Sequence, residues 1–264
     1  KNFVPVFWMA SEDHDFQEVN HIHVFDKKIE WNSSQNGAVG RIPLEGIETI
    51  LDELDVIIGN SKNANDLSLL FRDAYLKNSN LADASRFLLN ALFGKYGVVI
   101  IDGDDVRLKN QFISIIKKDI LQQGFFETIS KCTKELSEEY KSQAFVRKVN
   151  FFHLSDGKRD RLEGEVLENE IDSSPESFSP NVLMRPLYQE MVLPNLAYIG
   201  GGSELAYWMQ VKTAFDQEQI PFPILVLRNS VLWMEKKQVD KWQKLGFELA
   251  DLFKDEHQLH HQYV

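Results

Sequence analysis

Four short runs of apolar residues interrupt a chain whose hydrophobic positions otherwise recur every three or four residues. Runs of this length without alternating polar residues are typical of strands that are buried on both faces of a parallel sheet. The longer periodic segments predict amphipathic helices, so the pattern as a whole predicts an α/β fold. The predicted strands are residues 4–9, 97–102, 196–199 and 223–228, and the predicted helices are residues 44–58, 65–76, 81–93, 106–122, 123–141 and 236–253.

Two stretches do not fit an alternation of buried strands and helices, and they predict insertions. Residues 21–25 alternate as a strand does, and residues 30–42 are rich in Asn, Ser and Gly, which indicates a hairpin or an irregular flap. Residues 147–154 and 160–165 flank a Ser-Asp-Gly turn and predict a second hairpin. The polar residues 168–179 predict a connecting loop. The chain then divides into core segments at 1–20 and 180–235, an inserted flap at 21–43, helical and core α/β segments at 44–146, an inserted hairpin and loop at 147–179, and a helical segment at 236–264.

The first predicted strand runs directly into Ser11, Glu12, Asp13, His14 and Asp15. Open α/β sheets bind ligands at the carboxyl ends of their strands, so this is the first place to expect chemistry. If a helix starts at Ser11 or Glu12, the side chains of His14, Glu18 and His21 share one helix face and offer a base, an acid and a possible metal ligand. The alternative is a solvated helix start in which the serine or an aspartate is the N-cap.

The second predicted strand also ends in acidic residues, Asp102, Asp104 and Asp105. One of these carboxylates could bind a substrate hydroxyl or amine. The same residues also suit an ordinary turn and helix cap, because Gly-Asp-Asp is a common turn sequence.

Residues 179–210 are the second informative stretch. Pro186 suits the first position of a short helix, which would leave the guanidinium of Arg185 free for an anion. The glycines at 200–202 predict a turn from a strand into a helix capped by Ser203, with backbone N–H groups directed at a ligand. The stretch has neither a P-loop nor a G-x-G-x-x-G spacing, and Glu204 would repel a phosphate but suit an ammonium or a sugar hydroxyl.

Composition narrows the functional classes. The formal net charge of −11 gives no global attraction to nucleic acid or to an anionic membrane surface. The single cysteine, Cys132, excludes an intramolecular disulfide and is expected to be a buried structural thiol, which suits a reducing, cytoplasmic location. No apolar run predicts a membrane span and no signal peptide opens the chain. The histidines within 257–261 are expected in a solvated tail or at the start of a helix, and a chain that begins at Lys1 is expected to be a fragment.

Several long motifs resemble one enzyme family, the cysteine-adding enzymes (cysteine ligases) of bacillithiol biosynthesis. The resemblance extends over essentially the whole chain. Its motifs are VPVFWMASEDHD at 4–15 followed by Glu18, Asn20 and His21, RPLYQE at 185–190, LPN at 193–195, YIGG at 198–201, ELAYW at 204–208 and PILVLRNS at 223–230.

The resemblance implies a Rossmann-like parallel sheet with a nucleotidyltransferase-like core, and connecting-peptide insertions that contain hairpins and helices. It also implies a long coiled coil, largely outside this chain, through which two copies form a dimer. Members are larger, so the chain looks like an internal fragment. The implied reaction makes the low-molecular-weight thiol bacillithiol by joining the carboxyl of L-cysteine to the amine of glucosaminyl-malate. ATP or another nucleotide is the expected activating cofactor, and no metal is predicted.

Residue roles follow from the resemblance as expectations. His14 or His21 would take a proton from the glucosamine ammonium, and Asp13 or Asp15 would orient that imidazole or hold the amine. The malate carboxylates would bind Arg185 and Arg228. The full substrate-binding set is Asp15, Asn20, Arg185, Gln189, Glu204, Tyr207 and Arg228, and the nucleotide-binding set is Gly200, Gly201, Gly202, Ser203, Asn229 and Ser230.

Two other functional classes remain open at this point. A metal-dependent hydrolase could use His14, Glu18 and His21, although the zinc spacing H-E-x-x-H is absent. A non-catalytic protein that binds a nucleotide or sugar, or that acts as an interaction scaffold, is the other alternative for an acidic chain with many helices. The scaffold predicts no thermal shift with nucleotide or glucosaminyl-malate, whereas a ligand at about a hundred times its dissociation constant should stabilise the protein by about 2.7 kcal/mol.

Overall fold

The computed structural model describes residues 3–33, 37–155, 157–162 and 166–263. They form two compact units, residues 1–226 and 227–264. In the first unit, strand β1 (Val6–Met9) pairs in parallel with strand β4 (Val99–Asp102), and Met9 lies opposite Asp102. Strands β8 (Ala197–Gly200) and β9 (Ile224–Leu227) form another pair, and β9 ends at the boundary between the units. The predicted α/β fold with a parallel, Rossmann-like arrangement is confirmed.

The expectation that these strands are buried on both faces was wrong. Phe7 is 44% exposed, and Ile199 and Ile224 are 65% and 64% exposed. Their neighbours Tyr198 and Leu225 pack against the main core instead. One face of each strand therefore packs against the core. The other face is exposed although its side chains are apolar.

Capping residues set several helix boundaries at the predicted positions. Helix α4 (Leu81–Phe93) starts after Asn80, whose side chain accepts from the Asp83 N–H at 2.8 Å. Helix α5 (Val106–Gln122) starts after Asp105, which accepts from the Arg107 N–H at 2.9 Å. The remaining helices of this part of the chain are α2 (Ile47–Ile58), α3 (Lys62–Leu76) and α6 (Phe126–Leu136).

Both predicted hairpins are present. Strand β2 (His21–Val24) pairs with β3 (Lys27–Glu30), and β5 (Phe151–Ser155) pairs with β6 (Lys158–Arg161). Residues 34–36 of the predicted flap, and residues 156 and 163–165 of the predicted second hairpin, lie outside the described residues.

The predicted loop at 168–179 was wrong. Helix α7 (Glu168–Ser173) lies there, and strand β7 (Phe178–Pro180) pairs antiparallel with β5 to complete a three-stranded sheet. Although the stretch is mostly polar, its side chains Ile171 and Phe178 are fully buried in the main core. Burial of these two side chains holds the stretch in a regular structure.

The main core lies between α5, the three-stranded sheet, helix α8 (Arg185–Val192), helix α9 (Gly202–Gln210) and helix α10 (Lys212–Glu218). Its centre is aromatic. Tyr188 packs at 4.8 Å from Phe112 and at 5.4 Å, edge to face, from Trp8. The hydroxyl of Tyr188 donates to the Gly103 carbonyl at 2.9 Å, which ties α8 to the end of β4. Cys132 is buried on α6, as predicted, and its thiol donates to the Met209 carbonyl at 3.4 Å.

The second unit contains helix α11 (Lys236–Lys244), a 3-10 turn at Leu249–Phe253 and helix α12 (Glu256–Tyr263). A continuous helix from 236 to 253 was therefore wrong. Gly246 has φ +84° and breaks it, and the indole of Trp242 then donates to the Glu248 carbonyl at 2.7 Å. His257, His260 and His261 lie on α12. None of the helices in the described part of the chain is long and apolar enough to cross a membrane.

Candidate functional site

The polar residues that follow β1 and β4 come together, as the parallel pairing requires. The Ser11 hydroxyl donates to Asp102, and the same carboxylate accepts from the Asp104 N–H at 3.0 Å. We call the group formed by residues 11–14 and 102–105 the carboxyl-edge cluster. It occupies the position at which open α/β sheets bind ligands.

The helix considered from Ser11 or Glu12 does not form. Ser11 and Glu12 are buried, at 7% and 4% exposure, and their side chains bond to residues distant in sequence instead of capping a helix. Helix α1 is only Phe16–Val19, and His21 begins β2. The single helix face shared by histidines 14 and 21 does not exist, and the described residues hold no group of three metal-ligating side chains. The geometry gives no support to the metal-hydrolase alternative.

Two arginines contact the cluster, and a backbone contact between Gly40 and Ser11 positions the first of them, Arg41. The Gly40 N–H donates to the Ser11 carbonyl at 2.8 Å, and a Cβ atom on this glycine would lie 2.9 Å from that carbonyl oxygen. The next residue, Arg41, forms two bonds to Asp104 at 2.5 and 2.8 Å, which raise the pKa of the guanidinium. Arg86 binds Asp102 at 2.9 Å. These two arginines balance the carboxylates at the end of β4.

One residue of the carboxyl-edge cluster, Glu12, forms a buried ion pair with Lys109. Lys109 on α5 is fully buried and donates to Glu12 and, at 2.8 Å, to the Phe178 carbonyl on β7. Burial raises the pKa of Glu12, and the charge of Lys109 opposes that rise. The pair therefore fixes the end of β1 to both α5 and the three-stranded sheet.

Arg159 on β6 contacts two residues of the carboxyl-edge cluster, His14 and Asp13. Its guanidinium donates to the Pro180 carbonyl at 3.0 Å and to the Ser179 hydroxyl at 3.2 Å, and it lies 4.1 Å from the Phe152 ring. The remaining guanidinium nitrogen, Nη1, lies 3.0 Å from His14 Nδ1 and 3.4 Å from Asp13 Oδ1. Burial lowers the pKa of this arginine. Sequence reasoning missed Arg159, because only the register of the three-stranded sheet brings it to the histidine.

His21 begins the first hairpin, and the two predicted residues before it, Asn20 and Asp15, flank the short helix α1. His21 Nδ1 is 3.1 Å from the buried Asn20 Oδ1. His21 and His23 share a strand face, with ring centroids 5.5 Å apart. Asp15 is exposed and precedes α1 without capping it through its side chain.

A second group gathers four of the predicted substrate-binding residues around Arg185. The guanidinium donates to Gln189 at 3.0 Å, to the Tyr198 hydroxyl at 3.0 Å and to the Tyr207 hydroxyl at 3.2 Å. Tyr198 in turn donates to Glu204 at 3.2 Å. We call these five residues the Arg185 cluster. The guanidinium is bonded, not free as predicted, but no carboxylate among the described residues lies within 4.0 Å of it.

Comparison with known proteins gives the family. A model of the N-terminal Rossmann-like domain of the bacillithiol biosynthesis protein BshC matches residues 1–229. The chain belongs to this BshC family.

The chain is similar over nearly its full length to curated BshC proteins named "Putative cysteine ligase BshC". Identity is 45% with the protein of Flavobacterium johnsoniae, over 96% of this chain and 50% of the relative. It is 39% with that of Christiangramia forsetii, over 98% and 52%, and 28% with that of Bacillus licheniformis, over 94% and 51%. The chain spans about half the length of these curated relatives.

Within this BshC-family fold, the glycine turn after β8 differs from the prediction. Gly201, not Ser203, is the N-cap of α9, and the carboxylate of Glu204 accepts from the Gly201 N–H at 2.6 Å. That N–H is therefore occupied, and a negative charge lies at the helix start. The turn as built does not fit a phosphate group; it suits an ammonium or a hydroxyl.

Arg228, Asn229 and Ser230 follow β9 directly, as predicted, and all three are exposed. They belong to the second unit, whereas the carboxyl-edge cluster and the Arg185 cluster belong to the first. Their assignment to substrate and nucleotide binding stays a prediction.

Proposed function

We propose that the protein is a ligase of bacillithiol biosynthesis that joins the carboxyl of L-cysteine to the amine of glucosaminyl-malate. Membership of the BshC family, and the name of its relatives as cysteine ligases, support the assignment of a ligase reaction. The observation that carries the proposal is the contact of Asp13, His14 and Arg159 at the carboxyl end of a parallel strand pair. The cluster places a carboxylate, an imidazole and a guanidinium together at a ligand-binding edge.

The chemistry of amide formation explains why such a cluster is useful. An amine is protonated at neutral pH and must lose a proton before it can attack a carbonyl carbon. Histidine is suited to that transfer because its ordinary pKa lies near neutrality. We assign the proton transfer to the set of Asp13, His14 and His21, with Asp15 and Asn20 beside them. Asp13 is half-exposed and can also hold the ammonium before attack.

The Arg185 cluster is proposed to bind the malate part of glucosaminyl-malate. A desolvated guanidinium whose close partners are neutral phenol and amide groups retains a net positive charge, and a carboxylate is the anion that fits its planar fork. We assign the malate carboxylates to Arg185, with Gln189 and Tyr207 holding the guanidinium. Arg228 is proposed as a further carboxylate ligand.

Carboxylates do not acylate amines unaided, so a nucleotide such as ATP is proposed to activate the cysteine carboxyl. The proposed residues are Gly200–Gly202, Ser203, Asn229 and Ser230. Because Glu204 occupies the Gly201 N–H, we expect this turn to contact a hydroxyl or ammonium group, and not the phosphates. A cytoplasmic location and a dimer formed through a coiled coil complete the proposal.

The test uses the complete protein, incubated with L-cysteine, glucosaminyl-malate and ATP, with bacillithiol and AMP followed by mass spectrometry. Product is expected from the unchanged protein, and a loss of at least about 100-fold from His14→Gln, since general acid–base groups contribute about 10²–10⁴-fold. His257→Gln, which changes a histidine of the second unit, is the control and keeps full activity. Absence of product from the unchanged protein with any nucleotide overturns the proposal.

A further inference from the structure

The two histidines proposed for proton transfer have different partners at the same ring atom. A neutral imidazole carries one proton, so one ring nitrogen donates and the other accepts. The partner of Nδ1 therefore determines what Nε2 presents to a ligand. Nδ1 of His14 faces Arg159, whereas Nδ1 of His21 faces Asn20.

At His14 the partner is a donor. Arg159 Nη1 lies 3.0 Å from Nδ1, and a guanidinium has no acceptor, so this contact requires a lone pair on Nδ1. Asp13 Oδ1 also lies 3.2 Å from Nδ1, but this oxygen already accepts the His14 backbone N–H at 2.7 Å and lies 3.4 Å from the same guanidinium nitrogen. Both contacts involve a charged partner, and the contact with Arg159 is the shorter of the two, so we take Arg159 as the partner that determines the state of Nδ1.

Arg159 cannot easily move away from the imidazole. Three other contacts hold its guanidinium, to the Ser179 hydroxyl, the Pro180 carbonyl and the face of Phe152. Only 9% of its side chain is exposed. A fixed positive group thus remains at Nδ1, and the proton of the neutral ring belongs on Nε2.

At His21 the partner is an acceptor. Asn20 Oδ1 lies 3.1 Å from Nδ1. The Asn20 side chain also contributes, after the larger effect of Lys28, to a pKa of Glu30 below its usual range, and only the amide nitrogen of Asn20 could donate to that carboxylate. This agrees with the observed orientation, in which the amide oxygen faces His21. Nδ1 then carries the proton and Nε2 keeps its lone pair.

We propose that Arg159 and Asn20 hold the two histidines in opposite tautomers, so that His14 presents an N–H donor and His21 presents a basic nitrogen. Arg159 is a positioning residue in this scheme. The inference rests on the proposed function and divides its proton transfers. The proton released by the substrate ammonium goes to Nε2 of His21, which frees the amine lone pair to form the C–N bond, and the group that activates the cysteine carboxyl leaves the acyl carbon with its bonding electron pair. The Nε2–H of His14 donates a hydrogen bond to an oxygen of the acyl group.

The test is a long-range ¹H–¹⁵N correlation spectrum of the full chain labelled with ¹⁵N-histidine. It is recorded above about pH 8, where an ordinary histidine with pKa near 6.5 is neutral. Protonated and unprotonated ring nitrogens have well-separated shifts, and His14→Gln and His21→Gln assign the two residues by loss of their signals. We expect the proton on Nε2 of His14 and on Nδ1 of His21. The same tautomer at both residues, or the reverse pair, overturns the inference without any further variant.

Substitution of Arg159 tests the cause. In Arg159→Met, Asp13 is the close partner of Nδ1 that remains among the described residues, so the His14 proton is expected to move from Nε2 to Nδ1 while the His21 signals stay in place. Arg161→Met, two residues along the same strand and exposed, is the matched control and moves neither set. His14 signals that do not change in Arg159→Met would assign the tautomer to another group and sink the role given to Arg159.

The spectrum and the activity assay separate the two proposals. Opposite tautomers in a protein that makes no bacillithiol would leave the inference standing and overturn the proposed function. Product formation by a protein whose histidines share one tautomer would do the reverse.

Discussion

Lys109 and Glu12 form an ion pair inside the protein, 97 residues apart in sequence and both nearly inaccessible to solvent. Removing one partner of such a pair leaves an uncompensated buried charge, which costs about 3–5 kcal/mol. Lys109→Met is therefore expected to lower the free energy of unfolding by about that amount. Urea denaturation monitored by circular dichroism measures it.

The matched control is the exposed pair of Lys212 and Asp216, for which Lys212→Met is expected to change stability by less than about 1 kcal/mol. The double variant Lys109→Met with Glu12→Leu removes both charges and should recover much of the loss. Equal effects of the buried and exposed substitutions would contradict the account.

Asp119 gives the protein a pH-dependent stability of defined sign. It is fully buried beside Asn150, and burial raises its pKa from 3.8 to about 6. Between these values the folded state binds more protons than the unfolded state, so stability falls as the pH rises from about 4 to about 6. The span corresponds to about 3 kcal/mol, at 1.36 kcal/mol per pH unit.

Asp119→Asn isolates this effect, because asparagine does not titrate. The difference in unfolding free energy between the unchanged protein and the variant should decline by about 3 kcal/mol from pH 4 to pH 7 and then level off, since the carboxyl is then ionised in both states. A difference that is constant across this range would show that Asp119 keeps its ordinary pKa when folded.

Gly40 is required by the backbone contact with Ser11. Any Cβ atom would lie 2.9 Å from the Ser11 carbonyl oxygen, so Gly40→Ala must displace one of the two segments. We expect a loss of about 1–3 kcal/mol, measured by thermal or urea unfolding. Gly202→Ala is the control, because nothing lies within 4 Å of a Cβ atom there, and its stability should be unchanged or slightly higher. Similar losses for both glycines would contradict the steric explanation.

Arg185 is expected to affect substrate affinity more than the rate of turnover. A charge-assisted bond is worth about 1.5–3 kcal/mol, so Arg185→Met should raise KM for glucosaminyl-malate by about 10- to 100-fold with kcat little changed. Steady-state kinetics of the complete protein measure both. Arg147→Met, an exposed arginine of the same unit, should leave both constants unchanged. A fall in kcat at constant KM would place Arg185 in the chemical step.

Local signals in the sequence predicted the parts of the fold that depend on local contacts. Helices α4 and α5 begin at the predicted residues because Asn80 and Asp105 cap them directly. The acidic ends of β1 and β4 were placed correctly because parallel strands bring their carboxyl ends to one edge. Four of the five residues of the Arg185 cluster, including Arg185 itself, were also named as site residues from the sequence, although Tyr198 was not.

The failures depend on contacts distant in sequence. Glu12 does not enter a helix because Lys109 binds it in the interior, and no local pattern encodes that partner. Phe178 forms a strand in a polar stretch because it enters the core. Arg159 reaches His14 only through the register of β6 on β5, so its role could not be inferred from spacing alone.

The connection between β7 and α8 also limits which ligands could reach both clusters. The Pro180 carbonyl binds Arg159, the side chain of Asn181 accepts from the Leu183 and Met184 N–H groups, and Arg185 follows as the first residue of α8. Five residue steps separate Pro180 from Arg185, so their Cα atoms are at most about 18 Å apart. Side-chain substitutions can change the affinity at either end of this connection. The backbone of this connection therefore puts an upper limit on the separation of its two ends, and that limit does not depend on which side chains bind at either end.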